Sequence, residues 1–99
     1  MTTKKTPAWL SLSADRVTVT LSKPAELNGV MVDTVSLRSP TVRDIRVAQQ
    51  GAGSDDEQRE LNLFASLTEV GAKDLEGMAL KDYTRLQTAY FRLVQDDDV

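Results

Sequence analysis

Asn28-Gly29 sits between two runs of β-branched residues in "VTVTLSKPAELNGVMVDTVSLR", and this dipeptide limits the possible folds more than any other feature of the chain. Both residues accept the positive φ of a tight two-residue turn, so an antiparallel hairpin is predicted there. Before the turn, Val17, Val19 and Leu21 alternate with Thr18 and Thr20, the period of a half-buried strand. "SKP" is expected to end that strand. After the turn the apolar positions change parity: Val30 and Val32 are even, whereas Val35 and Leu37 are odd. One face cannot hold all four unless a bulge or break falls near Asp33-Thr34, and a break in the strand is expected there. Residues 17 to 38 therefore read as a small antiparallel sheet, and the preceding "WLSLSADR" fits either a strand or a short turn.

The second half has helical periodicity. In "LRSPTVRD", Thr41 caps a short helix and Asp44, three residues on, completes a capping box, with "VRDIRVAQQ" running to Gly51. Ser54 and Glu57 predict a second capping box, opening a helix to about Val70 that Gly71 stops. "AKDLEGM" reads as one helical turn, and the last helix spans about Leu80 to Val94 before "DDD" frays into solvent. The fold class is α+β: a small N-terminal antiparallel sheet or hairpin followed by about three helices. Ninety-nine residues make one domain, which buries roughly two-thirds of the unfolded chain's surface. Within it, residues 1–16 form an N-terminal extension, 17–38 the β-rich part, 41–50 a short helix, 51–54 a flexible linker, 55–94 the helical part and 95–99 an acidic tail.

Composition removes most enzymatic chemistry. The chain has no Cys and no His, so thiol nucleophiles, zinc-thiolate sites and the commonest general base are all missing. The acidic clusters "SDDE" and "QDDD" lack the alternating oxygen ligands and central glycine of a calcium loop, and are expected to be helix-start charge and a solvated tail. Arg38, Arg43 and Arg46 crowd the helix start at Thr41, where backbone N–H groups favour anions. No Gly-rich phosphate loop accompanies them, so a capped strand-to-helix joint is the better reading. Nucleic-acid binding is not expected from an acidic chain whose five aromatics fall mostly at helical core spacing. No apolar run approaches the roughly 20 residues of a membrane span, and the N-terminal stretch lacks a signal peptide's apolar core, so the chain is expected to stay where it is made. No cofactor and no metal are expected.

What remains is surface. At about 100° per residue, Leu80, Tyr83, Leu86, Ala89, Tyr90, Phe91, Leu93 and Val94 cover an arc of about 200°, wider than a minimal core-facing stripe. Leu61, Leu63, Phe64, Ala65, Leu67 and Val70 do much the same on the preceding helix. Either the sheet and helices sandwich all of this, or part of it serves another chain. The candidate partner contacts are Leu80, Tyr83 and Phe91 on the last helix, Phe64 on the preceding one, and Trp9, the only tryptophan. Leu80 and Phe91 lie at one edge of the arc, Leu86 and Tyr90 nearer its middle. Residues 1 to 50 hold 7 basic and 4 acidic side chains, against 5 and 11 in residues 51 to 99, a polarity that either favours homo-oligomers through head-to-tail contact or belongs to the solvated faces of an ordinary acidic protein.

The order of these features resembles the small tail assembly chaperones of Mu-like and P2-like contractile-tailed phages and prophages. It is carried by "LSKP", by "NG" (Asn28, Gly29) before a Val-rich strand, by "LRSPT" (Arg38, Pro40, Thr41) with Asp44, and by "KDY" (Asp82) leading into an aromatic-bearing last helix. The resemblance spans about residues 17 to 94, leaving the role of the Trp9 extension open. It implies a non-enzymatic factor of the host bacterial cytoplasm, absent from the mature virion. Such a factor binds the tape-measure protein, keeps it soluble and helps recruit tail-tube protein. It also implies that a frameshifted longer form would diverge near "QDDDV". A small phage-encoded adaptor or regulatory protein that binds a host factor is the alternative.

Overall fold

Leu27 and Val30 face each other across a two-residue turn in which Asn28 and Gly29 take φ of +54° and +79°. The computed structural model describes residues 6–95, so the first five residues and the acidic tail beyond Gln95 lie outside the description. Three strands, β1 (Leu10–Leu12), β2 (Arg16–Leu27) and β3 (Val30–Arg38), form an antiparallel sheet in the order β1-β2-β3. "WLSLSADR" thus contains both of its possible readings, a turn at Trp9 and a strand from Leu10, which pairs with Val19.

"SKP" does not end the strand. Thr20 pairs with Thr34 and Ala25 with Val32, so β2 carries four residues, Leu21 to Pro24, where β3 carries only Asp33. Proline is tolerated because the bulge has already taken this segment out of the ladder. Strand β3 runs on without interruption, yet its exposed face changes at Asp33 and Thr34, where parity requires it. Val35 and Leu37 are buried, Val32 is half-buried and Val30 is exposed. One face of the sheet, with Val17, Val19, Val35 and Leu37, meets the helices. The other carries Thr18 and Ser36, whose hydroxyls hydrogen-bond at 3.0 Å.

Four helices follow: α1 (Val42–Gln50), α2 (Asp56–Thr68), α3 (Ala72–Glu76) and α4 (Leu80–Val94). The capping box of α1 forms as expected: the Asp44 N–H donates to Thr41 Oγ1 at 3.2 Å and the Thr41 N–H to Asp44 Oδ2 at 2.8 Å. Helix α2 corrects two expectations. Its cap is Asp55 rather than Ser54, with the Gln58 N–H donating to Asp55 Oδ1 at 3.1 Å. The segment before it is a chain of hydrogen-bonded turns, Gly53 N–H to Gln49 O and Asp55 N–H to Ala52 O, which moves the helix start one residue on. At the other end Glu69, not Gly71, takes the left-handed conformation with φ of +60°. Its N–H and that of Val70 both close on the Ala65 carbonyl, satisfying the helix end. Gly71 instead precedes the first turn of α3.

Phe64, Leu67, Leu75 and Leu86 meet Val17, Val19 and Leu37 with no more than 2 % of any of them exposed. Each such side chain contributes roughly 1.5–3 kcal/mol relative to exposure, so the sheet-helix interface dominates stability.

Candidate functional site

Three polar contacts set the sheet against the helices and thereby position the surface of α4. In "LRSPTVRD", the Arg38 guanidinium at the end of β3 donates to both Asp44 carboxylate oxygens, at 2.8 and 3.0 Å. A bidentate pair of this kind fixes orientation as well as distance. Pro40 cannot donate to a ladder, so β3 stops and the chain turns into the cap at Thr41. Arg38 also reaches Ser66 Oγ of α2 at 3.3 Å. Arg43 and Arg46 are exposed, while Arg38 ties the end of β3 to the first turn of α1. The guanidinium and the Thr41 N–H hold Asp44 well below the usual carboxylate range.

The second contact is at the bulge. Asp82, 1 % exposed in the first turn of α4, accepts the Ser22 N–H at 2.7 Å and the Lys23 N–H at 3.5 Å. Burial pushes its carboxyl up, but the donors at Ser22 and Lys23 outweigh that and the net shift is downward. At the hairpin tip, the third contact, the Asn28 N–H donates to Asp74 Oδ2 at 2.8 Å and the Asn28 amide to the Glu69 carbonyl at 3.1 Å. Asn28 therefore shapes the turn and docks it onto α3.

With α4 held in this way, its wide apolar arc divides. Leu86 and Ala89 are fully buried, Tyr83, Tyr90 and Leu93 half-buried, and Leu80, Phe91 and Val94 remain 78 %, 62 % and 45 % exposed. Leu80 and Phe91 are eleven positions apart, three helical turns, and Leu80, Thr84, Gln87, Phe91 and Val94 share one line along the helix. Phe64 has no exposed surface and packs between Tyr83 and Tyr90 at ring distances of 5.6 and 5.4 Å. It is a core residue, without surface to offer a partner. Tyr83 gives its hydroxyl to Glu60 Oε1 at 2.9 Å. Burial first, and then Glu60 and Glu57, push that phenol well above its ordinary value. Trp9 lies under the Arg85 guanidinium, 5.1 Å from its ring centre, on a different side chain set from the α4 line.

Beside that line, α2, α3 and α4 enclose a groove of about 490 Å³. Leu61, Met78 and Leu80 supply apolar lining, and Glu57, Glu60 and Glu76 its acidic groups. Among the described residues no group of three or more His, Cys, Asp or Glu could hold a metal ion. No described helix is long and apolar enough to cross a membrane.

A family model described as phage tail assembly chaperone proteins, E, or 41 or 14, matches residues 18–95. The chain belongs to this phage tail assembly chaperone family. Membership implies a non-enzymatic role in tail assembly, by contact with tail proteins. No curated protein and no solved structure matches the chain. The match to the tail assembly chaperones runs from the first long strand to the end of α4 and leaves Trp9 and β1 outside it. In this tail assembly chaperone the residues carrying the resemblance, Asn28, Gly29, Arg38, Pro40, Thr41, Asp44 and Asp82, all lie at the turn and joints described above. Sequence reasoning missed Asp74 and Glu60. A carboxylate on a short helix carries no local signal of the hairpin N–H that it will accept, and nothing within α2 marks Glu60 as the acceptor for Tyr83.

Proposed function

We propose that this tail assembly chaperone captures the tape-measure protein through the exposed line of α4, keeps it soluble and helps recruit tail-tube subunits. It acts in the host bacterial cytoplasm and is absent from the mature virion. The observation that carries this reading is the exposure of Leu80 and Phe91 on one line of a helix whose other side is locked into the core. Two large apolar side chains held in water by a rigid helix favour burial against another apolar face, and a long apolar-rich helical partner supplies one. The excess of acidic residues in the second half keeps the unoccupied chaperone soluble. The opposite charge of the two halves supports self-association as well.

Co-expression with the cognate tape-measure protein, followed by affinity purification, tests this. The wild-type chain is expected to raise the soluble fraction of its partner and co-purify with it, and Leu80→Ser with Phe91→Ser to lose the partner while circular dichroism stays unchanged. Failure of the folded wild-type chain to retain the partner at any salt concentration refutes the proposal.

A further inference from the structure

We infer that the groove between α2, α3 and α4 is a docking site for a partner helix whose apolar stripe is flanked by lysine or arginine. Its apolar lining is Leu61, Met78 and Leu80, and Leu80 is 78 % exposed, so the groove opens onto the α4 line. Three carboxylates, Glu57, Glu60 and Glu76, line the same space. Glu60 Oε1 already accepts from the Tyr83 hydroxyl and from Gln87 Nε2, both at 2.9 Å, which aims that carboxylate but leaves it uncompensated. Among the described residues the single ion pair is Arg38 with Asp44, so no described cation is ion-paired with a groove carboxylate. Like charges around a low-dielectric surface focus a negative potential, and an occupant that brings cations to the edges of an apolar stripe relieves it.

The chain's own basic helix has the opposite pattern. On α1, Arg46 and Arg43 fall between Val42 and Val47 around the exposed face, with charge at the centre and valine at the edges. A second copy inserting α1 would bring its arginines to the apolar lining. That pattern rules out α1 of a second copy, and the occupant assigned is a helix of a different protein.

The inference deepens the capture role by specifying the charge of the captured segment, and its test uses no tape-measure protein. Two synthetic helical peptides share a leucine stripe and differ only in flanking residues, lysine in one and glutamate in the other. Isothermal titration calorimetry against the full chain is expected to give binding of the lysine peptide alone, weakening as salt rises. In the double variant Glu57→Gln/Glu76→Gln, affinity for the lysine peptide is expected to fall about tenfold. The control Glu26→Gln/Asp33→Asn removes the same charge from exposed positions on the sheet and is expected to bind as wild type. Equal binding of both peptides overturns the proposal, as does an equal loss in the control variant, which would mean attraction by net charge alone. Sedimentation of the chain without peptide supplies the remaining arm: a dimer abolished by Glu57→Gln/Glu76→Gln makes a second copy the occupant and refutes the assignment. A folded chain that binds the lysine peptide in the groove but fails to retain the tape-measure protein separates the two readings.

Discussion

The carboxylate of Asp82 and the backbone N–H of Ser22 meet at 2.7 Å, sixty positions apart in the chain. The β2 bulge takes Ser22 and Lys23 out of the ladder, and Asp82 accepts the two N–H groups that the bulge releases. The contact also sets α4 against the sheet, which decides which side of the helix stays in water.

Replacing Asp82 with Ala is therefore expected to cost about 1.5–3 kcal/mol, because it removes a charged acceptor and strands two donors. Urea denaturation checks this. Asp82→Asn keeps an acceptor oxygen and is expected to lose less.

Acid should unfold the protein through Asp44 and Asp82. Both have pKa values lowered in the fold from the ordinary 3.8, so the native state binds fewer protons than the unfolded chain. Their contribution is complete above that value and is lost as pH falls below it toward the folded values. Denaturation midpoints are expected to hold between pH 7 and 5 and to drop below about pH 4, with a shallower drop in Asp44→Asn.

The two helix caps separate cleanly. Thr41→Ala and Asp55→Ala are each expected to cost about 1 kcal/mol, since each removes the acceptor of a first-turn N–H. Ser54→Ala should fall within about 0.5 kcal/mol of wild type. An equal loss at Ser54 in chemical denaturation would return the cap to that residue.

Phe64 and Phe91 test core against surface. Phe64→Ala opens a cavity between Tyr83 and Tyr90 and is expected to cost about 3–5 kcal/mol. Phe91→Ser is expected to change stability by less than about 0.5 kcal/mol, while lowering recovery of the tape-measure protein in the pull-down.

Local chemistry made much of this fold legible from the sequence. Asn28-Gly29 specified its turn because few residue pairs tolerate two successive positive φ angles, and Thr41 with Asp44 specified a cap because the partners lie within one turn. The parity change between Val32 and Val35 located the shift of face for the same short-range reason. The tertiary structure alone decided what depends on groups distant in sequence. Strand β2 continues past Pro24 because Asp82 satisfies the freed N–H groups. Periodicity describes how apolar residues are arranged around α4, but not how much of that arc a neighbour covers. Packing against β2 and α2 buried Leu86 and enclosed Phe64 between two tyrosines, and it left Leu80 and Phe91 in water. Burial depends on which surfaces meet, and that is a property of the assembled elements rather than of any one of them.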